Sequence, residues 1–423
     1  MNTKRKQNTL LMISLFLFIF FPMIGKTQDN ILDNYLYVAA KNNPGLESKF
    51  SEYQAALEKV PQVGTLPDPQ VTFGSFIQPV ETRVGPQQAR FSVSQMFPWF
   101  GTLQARKDAA SEMAKSKYEA FADALSELYY EVKSAYYDLY FTQKAIDITN
   151  ENITILNSLR NLVLIKVESG LASGVDVFRV DMETADINNQ LALLNDNFKV
   201  KQTAFNNLLN NPDGNEMIVL PDTLQDIDFH FIREEIVDSI QKNNPRIRQI
   251  EYMKSYYERQ ELVAKRAGRP GFMLGADYVV VGKSGNPAIS VSESGKDAIV
   301  FPMVGISVPL YRKKYNSMVQ ETALMQESTE NNRMEMINTL ENRYEKTNRD
   351  YQDADRRIPL YTDQYRRAEK SLKILQSEYE TSGKNFEDIL IMERQLLNYQ
   401  LEQQRALADK NTAIAGMYYL LGK

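Results

Sequence analysis

The sequence contains no cysteine and a single histidine, His230. Without cysteine the chain can form neither disulfides nor thiolate metal sites. One histidine leaves few ligands for zinc and few candidates for a general base. Nucleophile-elbow and Walker motifs are also missing, which argues against a soluble secreted enzyme. We therefore expect a protein that is not an enzyme and that has no cofactor and no resident metal.

A basic segment is missing as well. The 423 residues carry a formal net charge of −5, and no block of basic residues stands out. Nothing is therefore placed to neutralise the phosphates of a nucleic acid, and we expect no nucleic-acid partner. The length would suit two or three globular domains or one elongated body.

The N-terminus carries an apolar run from Leu10 to Ile24, preceded by basic residues at positions 4–6 and followed by small and polar residues at 25–28. This order is typical of a secretory signal, and the run is too short to span a bilayer comfortably. The sequence predicts a signal peptide over residues 1–27, cleaved within 25–28, in preference to an uncleaved anchor.

Apolar side chains recur at alternating spacings of three and four from Tyr118 to Val167, and Arg160 is the one clear exception. The same spacing resumes from Val177 to Leu208, after an interruption at Glu168–Gly174. A 3.5-residue repeat of this length indicates a left-handed coiled coil, and the short interruption indicates an antiparallel hairpin. If the first arm begins at Trp99, it is about 100 Å long.

The same plan occurs twice in the chain. Asn243-Asn244-Pro245 repeats Asn42-Asn43-Pro44, and each half reads helix, strand, loop, strand, long helix, tight turn, helix. We predict a first repeat over 28–225 and a second over 226–423. Strands are expected at about 70–78 and 89–98 and at about 271–281 and 298–310, with hairpin tips at about 169–175 and 381–387.

Prolines and polar residues predict local interruptions. Pro61 is expected to end the first helical segment, residues 79–88 to form a loop, and Pro359 to kink its helix. Residues 218–224 are expected to be extended, and Gln404 to weaken the last apolar seam. Five tyrosines are either scattered surface residues or side chains that pack on neighbouring hairpins: Tyr129, Tyr136, Tyr140, Tyr256 and Tyr257.

The four predicted strands have a length that crosses a membrane when the strands are tilted. Two soluble hairpins capping a helical body would look the same, but the secretory signal and the long helices favour the membrane. In lipid an open sheet edge leaves backbone N–H and C=O groups unpaired, and known barrels start at about eight strands. Four strands per chain therefore predict an oligomer, which this argument leaves at two, three or four copies.

The whole expected mature chain resembles the TolC family of outer-membrane efflux ducts. The resemblance is carried by the duplicated plan, by Ser-Gln-Met-Phe-Pro-Trp-Phe-Gly at 94–101, by Gly-Leu-Ala-Ser at 170–173 with Val-Asp-Val at 175–177, and by Tyr379–Gly383. It implies a mainly α fold with a small membrane β part: a homotrimer with a twelve-stranded β-barrel on a long periplasmic tunnel of coiled coils.

The family's function follows as an expectation. The resemblance implies a passive exit duct in the outer membrane of a Gram-negative cell, surrounded by outer-membrane lipid and extending into the periplasm. Its expected partners are a periplasmic adaptor (membrane fusion) protein and an inner-membrane pump of the resistance-nodulation-division type. The motif at 94–101 is most similar to the branch that exports metals and small cations, so metal ions or small toxic compounds are the expected substrates. Two alternatives stay open: an exit duct for type I protein secretion, and a non-conducting surface spacer or adhesin.

The two hairpin turns supply the candidate site. Ser173 with Asp176, and Asn385 with Asp388, fit a capping box, which is a sufficient structural reason for both acids. The resemblance further implies that Asp176 and Asp388, with the adjacent Glu387, line a periplasmic entrance that is closed at rest.

Two departures from the family pattern accompany this assignment. A further gate acid of the family is replaced here by Arg179 and Ile391, and the family's tip arginine by Ala172 or Asn385. The small residues of both turns would let another helical hairpin approach closely, although an ordinary αα turn also accounts for them. The expected adaptor-docking tip is Gly170, Leu171, Ala172, Ser173 and Gly174, with Ser382, Gly383, Lys384 and Asn385.

Overall fold

The computed structural model describes residues 29–211, 218–229, 232–382 and 385–423. These residues are mostly helical, as predicted. The predicted signal peptide and His230 lie outside the described residues. No helix in the described part of the chain combines the length and the apolar character needed to cross a membrane.

Eight helices and four strands form within the described residues. The helices are Asp29–Asn42 (α1), Pro44–Gly64 (α2), Thr102–Glu168 (α3), Gly174–Leu208 (α4), Arg233–Asn243 (α5), Pro245–Ala267 (α6), Arg312–Ser382 (α7) and Phe386–Leu420 (α8). The strands are Gln70–Thr82 (β1), Gly85–Phe97 (β2), Gly271–Val281 (β3) and Ala298–Ser307 (β4).

The repeated Asn-Pro pair begins a helix in each half. Asn43 caps α2, because its side-chain oxygen accepts a hydrogen bond from the Leu46 amide at 3.0 Å. Asn244 caps α6 in the same way through the Arg246 amide at 3.0 Å. In both helices the proline takes the first position, where its missing N–H would be unpaired in any case.

The proline predictions were partly wrong. Helix α2 includes Pro61 and ends at Gly64, so the predicted helix end at Pro61 was wrong. Helix α7 includes Pro359 without ending there, and the predicted kink stays a prediction. Residues 79–88 do not form a loop, because β1 runs to Thr82 and β2 starts at Gly85. Pro79 is tolerated since β1 lies at the edge of the sheet and its register shifts between Ser75 and Val80.

One other predicted bound also changes, because strand β4 ends at Ser307 and not at 310. Residues 218–224, predicted to be extended, lie outside the four strands, and two of their backbone amides bond tyrosine hydroxyls. The amide of Val219 donates to the Tyr35 hydroxyl at 2.9 Å, and the amide of Leu224 to the Tyr140 hydroxyl at 3.3 Å.

The four strands form one antiparallel sheet in the order β1-β2-β3-β4. Alternation places apolar side chains on one face, where Val71 is opposite Val93, Phe73 opposite Phe91, and Leu274 opposite Val304. Much of this face is exposed: Val71, Phe73, Phe91, Val93, Leu274, Val304 and Ile306 are all exposed residues. Among the described residues, β1 pairs only with β2 and β4 only with β3, so both outer strands keep an open edge.

The chain divides into two compact units, and each repeat contributes to both. The first contains residues up to Asn42, Glu131–Asp226 and Ala354–Thr412. The second contains Asn43–Tyr130, Ile227–Asp353 and Ala413–Lys423, and its core includes Ile247, Leu340, Tyr344 and Met417.

The core of the first unit is built from apolar residues of all four long helices: Leu156 and Val163 of α3, Val180 and Ile187 of α4, Leu372 and Tyr379 of α7, and Leu390 and Leu397 of α8. The heptad prediction is confirmed at the positions of α3 and α4.

Polar residues on the seams find partners in the first unit. Arg160 pairs with Asp181, with 2.5 Å between Nε and Oδ1. The Tyr140 hydroxyl donates to Oε1 of Gln404 at 2.9 Å, so Gln404 is accommodated on its seam. Tyr136 and Tyr140 are almost completely buried, so surface exposure was a wrong prediction for both, and Tyr140 contacts the second hairpin through Gln404.

Candidate functional site

The first hairpin turn ends α3 with a Schellman motif. The Leu171 amide donates to the Lys166 carbonyl at 2.8 Å, and the Gly170 amide donates to the Val167 carbonyl at 3.0 Å. Gly170 has φ +72°, the left-handed conformation that this motif requires and that glycine adopts without a Cβ clash. A Cβ at Gly170 would meet no atom within 4 Å, so the backbone conformation, and not packing, requires glycine at this position.

Helix α4 then begins with the predicted cap. Ser173 has an extended backbone, and its hydroxyl accepts a hydrogen bond from the Val175 amide at 3.3 Å. The Asp176 amide donates to the backbone carbonyl of Ser173 at 3.0 Å. Asp176 therefore lies in the first turn, where its negative charge interacts favourably with the helix dipole.

Asp176 is buried, with 7% of its surface exposed, and it has a partner. Nη1 of Arg179 donates to Oδ1 of Asp176 at 3.2 Å, while Nη2 of the same guanidinium lies 3.0 Å from Oε2 of Glu387. Arg179 thus joins the first turn of α4 to the first turn of α8. Through this arginine the structure brings together Asp176 and Glu387, two of the three predicted entrance acids. The third, Asp388, is exposed, as is Glu387.

A second ion pair joins the same two helices. Nε of Arg394 on α8 donates to Oε1 of Glu183 on α4 at 3.0 Å, and Nη2 of Arg394 bonds the other carboxylate oxygen. Such a bidentate pair fixes both distance and orientation. Each helix therefore contributes one arginine and one glutamate to the contact, with Arg179–Glu387 nearer the turns and Arg394–Glu183 farther along the helices.

Tyr379 lies under the turns at the end of α7. Nζ of Lys166 is 5.3 Å from the centroid of its ring, and the same ammonium donates to the Glu380 carbonyl at 2.8 Å. Burial and the nearby negative charge of Asp176 raise the pKa of Tyr379, so its hydroxyl stays neutral. That hydroxyl is buried and has no hydrogen-bond partner among the described residues.

The predicted docking residues differ in their surroundings. Leu171, Ser173 and Gly174 are exposed, whereas Ala172 packs against the core of the first unit. Gly383 and Lys384 lie outside the described residues, and Ser382 is described only as the last residue of α7. Asn385 has φ 67°, which differs from the extended backbone typical of an N-cap, and the second capping box stays a prediction.

The sequence interpretation missed the role of Arg179. The sequence comparison marks this residue only as the replacement of an acid, although its spacing of three from Asp176 is the distance at which opposite charges meet on a helix. No sequence signal indicated the contact with Glu387, because the two residues are 208 positions apart and belong to different hairpins.

Comparisons with known proteins identify a matching family model and solved structures with the same fold. The model of the family "Outer membrane efflux protein" matches residues 35–211. The 177 residues matched by the family model include the first hairpin and its turn. No curated protein sequence shows a significant match.

Solved structures share the fold over nearly the whole chain. VceC from Vibrio cholerae has a TM-score of 0.76 at 16% identity, covering 93% of this chain and 97% of that one. CusC has a TM-score of 0.76 at 14% identity, covering 95% of both chains. The open state of the MtrE channel from Neisseria gonorrhoeae has a TM-score of 0.74 at 15% identity, covering 93% of this chain and 89% of that one. The predicted resemblance and the mainly α fold with a small β part are confirmed.

Proposed function

We propose that this chain, which matches the outer membrane efflux protein family and shares the fold of outer-membrane channels, is the exit duct of a tripartite efflux system in a Gram-negative cell. The duct conducts passively and lies in the outer membrane, with its helical part in the periplasm. An adaptor protein and an inner-membrane pump supply the substrate and the energy. The chain itself carries out no chemical reaction.

The observation that carries this proposal is the sheet. In one chain, the described strands leave the backbone N–H and C=O groups of two sheet edges without a partner strand, and the apolar face of the sheet stays exposed. Three copies would join their edges into twelve strands, pair every backbone group, and turn the apolar face to lipid and the opposite face to a lumen. A surface spacer has no need for such closure.

The hairpin turns support a gated entrance. The Arg179–Glu387 pair joins α4 to α8 next to the turns, and the Arg394–Glu183 pair joins the same helices farther along, which suits an entrance that is closed at rest. Opening would then require the Arg179–Glu387 contact to separate. Three copies of the exposed Asp388 would add negative charge around the opening and favour cations, whereas Asp176 is buried against Arg179.

The turn also offers a surface for the adaptor. Leu171, Val175, Phe178 and Met182 are exposed and follow spacings of four, three and four. This is the spacing of a coiled-coil seam, and it continues from the small-residue turn into α4. A helical hairpin from the adaptor, or from a neighbouring copy, would cover it.

Single-channel recording of the purified protein in a planar bilayer tests the proposal. We expect stable conductance that increases when Asp176→Ala and Asp388→Ala are combined, because Asp176 helps to hold Arg179 in the contact with Glu387 that keeps the entrance closed. If neither the wild type nor this double variant conducts, the duct is refuted and the surface spacer is favoured.

Cross-linking tests the gate separately. The chain has no cysteine, so Asp176→Cys with Asp388→Cys gives a clean background for disulfide formation between subunits. We expect oxidation to abolish conductance and a reductant to restore it. An unchanged conductance in a fully cross-linked sample would place the gate elsewhere.

The substrate requires a test in cells. Growth of a deletion strain on a panel of metal salts, organic toxins and detergents compares metal export with export of small toxic compounds. Loss of a secreted protein from the medium, with unchanged resistance, would favour type I secretion instead.

A further inference from the structure

The four strands adjoin the helices at the same end of the sheet. Phe97 ends β2 and pairs with Phe272, while Gly271 begins β3 and pairs with Ser307, which ends β4. Strand β1 also begins at this end, since Gln70 pairs near the end of β2. The short segments that adjoin these strand ends belong to the second unit and are called the junction segments: residues 66–69, 98–101, 265–270 and 308–314.

The junction segments are positively charged in a chain that is negative as a whole. They contain one acid, Asp68, and six basic residues, whereas the net charge of the chain is −5. This end of the sheet therefore has a local charge that attracts anions. The basic residues are Lys265, Arg266, Arg269, Arg312, Lys313 and Lys314.

Two of the arginines fix the junction segments to one another. Arg266 donates to the carbonyl of Gly101, which joins the end of α6 to the start of α3. Nη1 of Arg312 donates to the carbonyl of Gly268 at 3.0 Å, which joins the start of α7 to the end of α6. Three junction segments are thus held next to one another, and the remaining bases are carried on a fixed backbone.

Three of the remaining bases stay available to a ligand. Arg269, Lys313 and Lys314 are exposed, and their side chains form no ion pair or hydrogen bond with the residues that the structure describes. Lys265 differs, because it pairs with Glu261 one turn earlier on the same helix.

Aromatic side chains lie at the same end of the sheet. Phe272 is on the apolar face, two residues from Leu274 on β3, and its ring centroid is 6.0 Å from that of Trp99 and 5.8 Å from that of Phe100. Phe100 is 77% exposed, and Tyr311 is 82% exposed. Exposed aromatic rings at the end of an apolar surface are typical of the boundary between a membrane and water.

We propose that these side chains form a collar that docks the headgroups of anionic phospholipids at the periplasmic boundary of the outer membrane. The rings lie at the level of the headgroups, and the bases bind the phosphates, so a lipid with net negative charge is preferred over a zwitterionic one. The inference rests on the proposed function, since it needs the apolar face to lie in lipid, and it names the class of lipid. The collar consists of Phe100, Arg269, Tyr311, Lys313 and Lys314.

A neighbouring copy of the chain is the other occupant to consider. Its β1 would begin beside the end of β4 if the sheets join edge to edge, and Asp68 precedes β1. One carboxylate per chain would leave most of the charge on the three bases without a partner. Charge complementarity therefore favours a surface that carries many negative charges, such as a layer of anionic headgroups.

The single tryptophan of the chain, Trp99, lies at the same end of the sheet as the collar and provides the probe. The full-length protein is reconstituted into vesicles of brominated phosphatidylcholine, which quenches tryptophan fluorescence, mixed with unbrominated phosphatidylglycerol. Relief of quenching beyond that given by unbrominated phosphatidylcholine measures the preference for the anionic lipid. We expect a preference of about threefold or more at low salt, which falls towards one at about 1 M salt.

Two triple variants with the same change in charge test the bases. The collar variant removes the three available bases: R269Q/K313Q/K314Q. The control variant removes three exposed lysines of α4 and α7: K199Q/K346Q/K370Q. We expect the collar variant to lose the preference for phosphatidylglycerol and the control variant to keep it. An equal loss in both variants, or no preference in the wild type, would overturn the collar.

The two proposals fail in different ways. If brominated lipid quenches Trp99 but the two unbrominated lipids relieve the quenching equally, the sheet lies in lipid and the collar is refuted. If brominated lipid does not quench Trp99, the apolar face does not lie in lipid and the proposed function fails as well. If Asp68→Asn and the collar variant both lose the oligomer in unheated electrophoresis, the bases pair with a neighbouring copy and lipid is refuted as their partner.

Discussion

Glu393 is a buried acid in the middle of an apolar core. It is 3% exposed on α8, and Leu390 and Leu397, one turn away on either side, belong to the core of the first unit. Burial raises its pKa from 4.5 to about 7. Between these two values the folded protein holds a proton that the unfolded chain releases, so the contribution of Glu393 to folding stability is greatest below pH 4.5 and is lost as the pH rises through 7.

Glu393→Gln removes this dependence, because the amide is neutral at every pH. We expect the thermal midpoint of the wild type, followed by circular dichroism in detergent, to fall between pH 5 and pH 8 more steeply than that of the variant. At pH 8 the variant is expected to be more stable by on the order of 2 kcal/mol. Glu168→Gln, on the exposed end of α3, is the control and is expected to follow the wild type.

The first turn contains a matched pair of glycines. Gly170 has φ +72° and Gly174 has no such restriction, and a Cβ at either position would meet no atom within 4 Å. We expect Gly170→Ala to destabilise the protein by about 1 kcal/mol through backbone strain alone. Gly174→Ala is expected to be neutral or to stabilise α4 by a few tenths of a kcal/mol. Equal thermal midpoints for the two variants would contradict the Schellman turn.

Among the elements, α4 and α8 are joined by charge as well as by apolar contact. Glu183 is mostly buried, so removal of Arg394 leaves a carboxylate with little access to water. We expect a double-mutant cycle of Glu183→Gln and Arg394→Gln to give a coupling free energy of about 1 kcal/mol, since the arginine side chain is largely exposed. Additive effects of the two substitutions would mean that the Glu183–Arg394 pair contributes no measurable coupling free energy. If the pair helps to hold the entrance closed, the same variants also raise conductance.

Heptad spacing predicted the long helices well, because a seam such as Leu156, Val163, Val180 and Ile187 is dictated by the helix itself. The turn at Gly170 was predicted for a similar reason. The contacts that link separate parts of the chain were not predictable from spacing. Tyr140 bonds Gln404, and Arg179 bonds Glu387, across more than 200 positions. Pro79 misled the interpretation, since a shift in strand register that no local pattern shows lets an edge strand tolerate it.

At the scale of the whole molecule, the two faces of the sheet have different expected surroundings. Val93 lies in the apolar face of β2, whereas Ser92 lies in the opposite face, directly across from Asp277 on β3. If copies of the chain close their sheets within the outer membrane, Val93 contacts lipid and Ser92 faces the lumen. Lysine is therefore a sensitive probe of closure at these adjacent positions.

We expect Val93→Lys to destabilise the inserted form by about 2–4 kcal/mol per chain, because it places a charge in the hydrocarbon region. Ser92→Lys is expected to be tolerated, since the new ammonium faces water and the carboxylate of Asp277. The measurement is the fraction of oligomer that resists unheated detergent electrophoresis after extraction from outer membranes, with total protein as the reference. If both variants assemble equally, the apolar face does not lie against lipid. If both fail equally, a lumen on the other face is refuted, because only a sheet with two different environments makes neighbouring residues respond in opposite ways.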